Sequence, residues 1–332
     1  MRGDQAMIVD AHAHIFPVVD GRVGQGATSG LGYGRIAVGE ETRQLLPPYN
    51  AETIFTPEML VANMDWAGVD LAVLLQGPFY GSCNQYVLEA LEKYPDRLRG
   101  TAYFDPWASD SQVRFQMIAA RTGFCGIKLE CSVATGFCGI YPQARLDAPE
   151  LNWLWKALEK RNWVLTLDLG AVGSRSYQTE AVRRIAEQHP GLKVVIVHLG
   201  QPRPEAEAKP SLWRLWLEQI ELGRLPNVWF DTSALPAYLP DESYPFPTAG
   251  RYLRTVLERI GPARIMWGTD QPGLLSRASY PQLVDMARSQ TDFLTVREQT
   301  IGIGRKCDAG VRSPLRGDGD GRNCGWPGGR HE

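Results

Sequence analysis

Asp10, His12 and His14 alternate along the segment IVDAHAHIF, each separated from the next by an alanine. In an extended strand, residues i, i+2 and i+4 share a face, so this spacing predicts three polar side chains pointing into the interior of whatever sheet holds them. Neighbouring neutral imidazoles are good ligands for zinc and similar ions, whereas a lone buried histidine is ordinarily a hydrogen-bonded core residue. His12 and His14 are therefore the first candidates for a metal site. The chain has five histidines, at 12, 14, 189, 198 and 331. His189 stands before Pro190 at the end of a helical stretch and His331 lies in a polar terminal segment, so both are expected to face solvent. His198 closes the apolar run KVVIVH and is the third informative histidine.

Carboxylates occupy equivalent places. Asp270 ends RIMWGTD, and Asp168 ends VLTLD. A carboxylate beside a metal can ligate it or take a proton from its water; the competing role is an N-cap for the helix that follows. Lys128 and Glu130, two apart in GIKLE, share one strand face and read either as metal or site residues or as a structural ion pair. Arg175 in GSRSY and Arg203 in GQPR can clamp a substrate carboxylate in bidentate fashion, against the alternative of exposed loop arginines. Tyr80 and Trp107, with Phe79 and Trp267, can form an aromatic wall or simply pack in the core.

Eight short apolar segments have to position these side chains: 8–16, 70–77, 100–106, 125–131, 164–170, 193–200, 227–234 and 264–272. Each is rich in β-branched or aromatic residues and ends near Gly or Pro. Their continuous apolar character suits parallel strands covered on both faces. Amphipathic stretches at 56–68, 84–95, 109–121, 149–161, 178–190 and 249–261 show a 3.6-residue period, the first with a Thr cap followed by Pro. The alternation predicts an α/β protein, a (β/α)8 TIM barrel with long βα loops. An open doubly wound sheet would usually carry a Gly-rich phosphate turn after its first strand, and none is present. Three long connections, 17–56, 132–149 and 235–248, each follow a strand. In a barrel that puts them on the C-terminal face, where they are candidate lids. The barrel domain is expected over 7–301. The Gly/Arg-rich segment 302–332, with no helical or strand period, is expected to be a poorly ordered tail.

Of the 332 residues, 44% are hydrophobic, which argues against a disordered chain. Lys and Arg number 35 against 37 Asp and Glu. This balance gives no basic field for nucleic acid and no polybasic membrane signal. No run approaches the ~18 apolar residues of a membrane span, and the start shows no signal-peptide core, so a cytoplasmic protein is expected. The six cysteines form no CxxC motif and are expected as free thiols. The expected partner is a small molecule; a homodimer is left open.

The DxHxH strand, the strand end from His198 to Gly200 and the GTDxP strand end from Gly268 to Pro272 together resemble the amidohydrolase superfamily. The branch they resemble is amidohydrolase 2, which contains aminocarboxymuconate-semialdehyde decarboxylase, aromatic-acid decarboxylases and metal-dependent TIM-barrel hydrolases. The resemblance spans roughly residues 7–300, and the order of the motifs across strands one, six and eight is its specific part. It implies that His12 and His14 are metal ligands, that Asp270 is a ligand and proton-handling carboxylate, and that His198 lies in the active site close to the substrate or the metal-bound water. Where the family commonly has a fifth-strand histidine, this chain has Asp168, which implies a site of two histidines and two carboxylates. The implied cofactor is a divalent metal, zinc in the first place, with Mn or Mg as alternatives that the extra oxygen ligand suits better than a three-histidine site would. Related lactonases that work without metal, and members with a carboxylated lysine on the strand of Lys128, frame the alternatives. A second departure is the C-terminus, where TVREQ leads into TIGIGRKCDAG in place of the family's closing helix and Asn-Ala dipeptide. Three activities follow: hydrolysis of a lactone, ester or amide; non-oxidative decarboxylation of an aromatic or muconate-type acid; or ligand binding without catalysis.

Overall fold

The computed structural model describes residues 7–295; the expected tail at 302–332 lies outside the described residues. The chain begins with β1 (Val9–Ala13) and then forms four short strands, β2 (Asp20–Val23), β3 (Gly26–Gly32), β4 (Arg35–Val38) and β5 (Glu41–Gln44). Alternating units follow: α1 (Pro57–Ala67), β6 (Leu71–Leu74), α2 (Asn84–Lys93), β7 (Leu98–Tyr103), α3 (Ser111–Ala119), β8 (Phe124–Glu130), α4 (Phe137–Ile140), α5 (Asn152–Lys160) and β9 (Val164–Asp168). The last part holds α6 (Thr179–Gln188), β10 (Lys193–Ile196), α7 (Pro204–Glu207), α8 (Pro210–Ile220), β11 (Val228–Asp231), α9 (Pro247–Ile260), β12 (Ile265–Met266) and α10 (Tyr280–Gln290).

The eight expected strands are all present and pair in parallel in the order β1-β6-β7-β8-β9-β10-β11-β12. Backbone hydrogen bonds join the two ends of this sheet: Ala11 N donates to Trp267 O at 2.9 Å, Asp270 N to His12 O at 2.8 Å and His14 N to Gln271 O at 2.7 Å. The sheet is therefore a (β/α)8 barrel, and its seam runs through the residues singled out for chemistry. Gly268 makes that seam possible, because a Cβ there would lie 2.9 Å from His12 Cβ. Ala11, Val164, Val195, Trp229 and Met266 form a separate buried cluster. Val164 lies four residues before Asp168, and Trp229 two before Asp231, so these apolar side chains floor the barrel beneath a polar upper layer.

Local chemistry explains the helices. Thr56 caps α1 by accepting from Met59 N, Pro57 occupies the first turn, and Gly68 ends the helix in the left-handed region, an arrangement whose N-cap is worth about 1 kcal/mol. Ser279 and Gln282 form a full capping box on α10. Helices α8 and α10 complete the outer ring but are not among the amphipathic stretches expected from the sequence. The connection 17–56, one of the candidate lids, contains an antiparallel sheet of order β2-β3-β4-β5. Arg22 N donates to Pro78 O at 3.0 Å, and Thr28 Oγ1 to Phe79 O at 2.7 Å, which fastens the sheet over the loop that follows β6.

Candidate metal centre

His12 and His14 project from the C-terminal end of β1 and are buried. Asp10 is not with them. The register with β6 shifts between Asp10 and Ala13, which breaks the simple alternation. The Asp10 carboxylate instead accepts from Thr269 N at 2.9 Å and from Tyr280 OH, at the start of α10, at 2.6 Å. Its role is to hold β12 and α10 to β1.

Hydrogen bonds on the far side of each ring set the tautomers of the two histidines. His14 Nδ1 lies 2.6 Å from Leu75 O, which can only accept. His12 Nδ1 lies 3.0 Å from Asp231 Oδ2 and 2.9 Å from Ser233 Oγ. Both Nδ1 atoms therefore carry the proton, and both Nε2 atoms present a lone pair. Burial lowers the basicity of both rings, His12 well below its ordinary value, so they stay neutral.

These lone pairs converge with a carboxylate oxygen. His12 Nε2 and His14 Nε2 are 3.2 Å apart, His14 Nε2 is 3.0 Å from Asp270 Oδ1, and His12 Nε2 is 3.4 Å from the same oxygen. Ligands at 2.0–2.1 Å on a tetrahedral zinc ion are separated by about 3.3–3.4 Å, so the triangle has the dimensions of three metal ligands. Neutral rings bring no proton into it. Electron pairs that face one another in this way form a candidate site for a cation. The His12 and His14 side chains are 0% and 5% exposed and that of Asp270 is 26% exposed, so the triangle opens to solvent on the Asp270 side. Burial works to raise the Asp270 pKa, but its contacts with His14, His12 and His198 outweigh that and hold the carboxyl below the ordinary carboxylate range.

The remaining candidates separate by their contacts. Lys128 Nζ is 3.4 Å from His12 Nε2 and 3.3 Å from Glu130 Oε2, so this buried ion pair borders the triangle. Burial and the nearby Asp168 charge raise Glu130 to about 7, against the opposing effect of Lys128. Asp168 faces His198 rather than the histidine pair: its Oδ2 is 3.3 Å from His198 Nε2, and its Oδ1 accepts from Gly170 N and Gln201 Nε2, both at 2.8 Å. Burial disfavours the His198 cation, but the hydrogen bond and charge of Asp168, with Asp270 and Asp231, raise the ring to about 9. His198 stacks on His12 with centroids 4.9 Å apart, and one ligand atom each of His12, His198 and Asp270 lie within 4.8 Å of one another.

Tyr80 stacks on Phe16 and stands 5.2 Å from His14. Arg203 lies over the Tyr238 ring at 4.6 Å, donates to Gln201 Oε1 at 3.2 Å, and keeps a buried Nε without a hydrogen-bond partner. Arg175 is exposed and donates to Cys138 O at 2.5 Å, which ties two loops together. Trp107 packs against Phe137 and Tyr141 in the neighbouring loops. His189 is buried, not solvated, between Glu159 and Asn152. Cys83, Cys131 and Cys138 are free thiols as expected.

Four functional contacts were not anticipated. Asp231 stands at the end of β11, where Asp168 and Asp270 stand on their own strands, so a signal for it existed. Ser233, Gln201 and Tyr238 lie in loops with no telling spacing. Three of the four residues 198–201 that follow β10 are non-glycine, yet all four have positive φ: 61° at His198, 47° at Leu199, 68° at Gly200 and 55° at Gln201. Asp270 has φ 64°. Left-handed backbone costs a non-glycine residue roughly 1–2 kcal/mol, and such strain collects at functional sites.

A parallel eight-stranded barrel whose C-terminal rim carries histidines and carboxylates in this arrangement defines a class of enzymes. The sequence matches the profile of the family described as Amidohydrolase over residues 9–300, and the chain belongs to that family. It is 22% identical over 295 residues to the 4-sulfomuconolactone hydrolase of Hydrogenophaga intermedia, covering 87% of this chain and 83% of that protein. A zinc-bound amidohydrolase from Burkholderia multivorans shares the fold with a TM-score of 0.65 at 17% identity, over 90% of this chain and 96% of that one. The 2,6-dihydroxybenzoate decarboxylase from Rhizobium shares it with a TM-score of 0.53 at 17% identity, over 76% and 87%. Among the described residues no helix is long and apolar enough to cross a membrane.

Proposed function

We propose that this enzyme is a metal-dependent hydrolase that opens a lactone, with esters and amides as the wider class of neutral carbonyl substrates. The observation that carries the reading is the convergence of the His12 and His14 lone pairs on Asp270 Oδ1, with access from the Asp270 side. His12, His14 and Asp270 hold a divalent metal, zinc first. When bound, such a metal polarises a carbonyl and acidifies water.

The chain's own residues do the rest. Asp270, the open member of the triangle, takes the proton of the attacking water and returns it to the leaving oxygen. His198, paired with Asp168 and turned by Ser233, is the cation that meets the developing oxyanion. Lys128 adds a second fixed positive charge next to His12. Tyr80 walls the entry beside His14. Arg203, with one N–H buried and unpaired, holds an acidic substituent of the substrate away from the reacting carbonyl. Asp168 acts through His198, not as a metal ligand.

Decarboxylation on the same scaffold would place a substrate carboxylate on the metal. Glu130, Asp168, Asp231 and Asp270 already bring four carboxyl groups to this upper layer, and added negative charge disfavours such capture. A neutral carbonyl suffers less, and the 4-sulfomuconolactone hydrolase, matched over 87% of the chain, supports the same choice. Incubating the zinc-loaded enzyme with lactones, esters, amides and aromatic carboxylates in ¹⁸O-labelled water decides. The expected result is label in a newly formed carboxylate. Release of CO₂ from an aromatic or muconate-type acid, with no label gained beyond exchange, overturns the reading.

A further inference from the structure

His198 and Gln201 open and close a left-handed turn, and both side chains end on one carboxylate: His198 Nε2 at 3.3 Å from Asp168 Oδ2, Gln201 Nε2 at 2.8 Å from Asp168 Oδ1. A chain of L-residues does not adopt this turn unaided, so something must hold it. Its outward carbonyls meet two fixed donors from behind. The Trp216 indole N–H on α8 donates to Leu199 O at 2.7 Å, and the Tyr177 hydroxyl donates to Gly200 O at 3.1 Å. Trp216 is fully buried, its ring fixed against Trp213 and Tyr252. One helical turn further on, the Gln219 amide is fully buried and without a hydrogen-bond partner. It fills the space beside Gly200, where a Cβ would come within 2.1 Å of its Oε1.

We infer that Trp216 and Tyr177 are positioning residues that hold the left-handed His198–Gln201 turn and so keep the His198 ring on Asp168. Neither touches the metal triangle or the space open at Asp270. They act through the backbone: withdrawing either donor leaves a carbonyl of a strained turn unpaired, and the turn can relax toward right-handed geometry by swinging His198 off Asp168. The His12–His14–Asp270 triangle is held by other strands and is expected to be unaffected.

The inference takes His198 as the catalytic cation of the proposed reaction, so the test has one arm that needs no substrate. Trp216→Phe and Tyr177→Phe keep the rings and remove the two donors. In each, the ¹⁵N–¹H signals of the His198 ring, assigned by comparison with His198→Gln, should shift, while bound zinc stays at the wild-type level. With a lactone that the wild type hydrolyses, kcat should fall on the order of ten- to a hundredfold, as expected for a misplaced catalytic group, with KM within about twofold. Unchanged His198 signals in both variants overturn the inference. So does a loss of zinc together with activity, which would make the two residues general core supports. Should Trp216→Phe fail to fold, Tyr177→Phe decides alone by the same criteria. Shifted His198 signals in a protein that hydrolyses no carbonyl substrate would refute the proposed reaction and leave the positioning role standing.

Discussion

Asp231 Oδ2 stands 3.0 Å from His12 Nδ1, and its Oδ1 accepts the backbone N–H of His198 at 2.8 Å. One buried carboxylate at the end of β11 therefore fixes the His12 tautomer and the start of the His198 turn together. Replacing such an orienting partner typically costs 10–100-fold in metal affinity. Asp231→Asn keeps the shape but allows the amide to present an N–H to His12, which would turn the lone pair away from the triangle. Zinc affinity, measured by competition with a chromogenic chelator, is expected to fall by about 10–100-fold. An unchanged affinity would show that Asp231 is a structural residue only.

Asp168 tests the division of labour within the site. Its oxygens are spent on His198, Gln201 and Gly170, so Asp168→Asn should leave zinc affinity within about twofold and lower kcat by on the order of 10²-fold, the scale of a general catalytic group. Metal titration and steady-state kinetics on one preparation separate the two effects. A large loss of zinc with the amide variant would restore Asp168 to the ligand set.

Arg203 should govern which substrates bind. Its guanidinium is ordered by Tyr238 and Gln201 and retains an unpaired buried N–H. Removing a charged hydrogen-bond partner costs roughly 1.5–3 kcal/mol, which corresponds to about 10–150-fold in KM for a lactone bearing a carboxylate or sulfonate. Arg203→Met should show that loss with acidic lactones and little change with neutral ones. Equal effects on both would remove Arg203 from substrate recognition. Arg175, bound to Cys138 O, should give no such discrimination when changed to Met.

Gly268 tests the barrel seam. An added methyl would approach His12 Cβ to 2.9 Å and Ser233 Cβ to 3.3 Å, and overpacking of this kind costs about 1–3 kcal/mol. Gly268→Ala is expected to lower the thermal midpoint by several degrees and to weaken zinc binding, because the displaced atom belongs to a proposed ligand. A calorimetric scan with unchanged midpoint would contradict the close approach.

How far the sequence was legible follows from which signals are local. The eight barrel strands could be read because a parallel strand covered on both faces is a continuous apolar run, and His12, His14, His198, Asp168 and Asp270 could be placed because each ends such a run. The sheet from β2 to β5 could not: GATSGLG is short, Gly-rich and mostly exposed, with no apolar periodicity. The Asp10 side chain was misplaced because a register shift after it breaks the period of two. The left-handed turn gave no warning either, since only Gly200 among its four residues marks positive φ and its supports, Tyr177 and Trp216, are distant in sequence. Arg175 and Arg203 looked alike in sequence; only their partners in space separate them.

The central claim is that His12, His14 and Asp270 bind a divalent metal that the enzyme needs for hydrolysis. Purification without chelator followed by elemental analysis tests it most directly. The account predicts about one divalent ion per chain, zinc foremost, retained by the wild type. His14→Ala should lose the ion and the lactone-opening activity together while keeping wild-type far-UV circular dichroism. A wild-type protein that opens lactones at full rate with no stoichiometric metal, or a His14→Ala variant that retains it, would contradict the account.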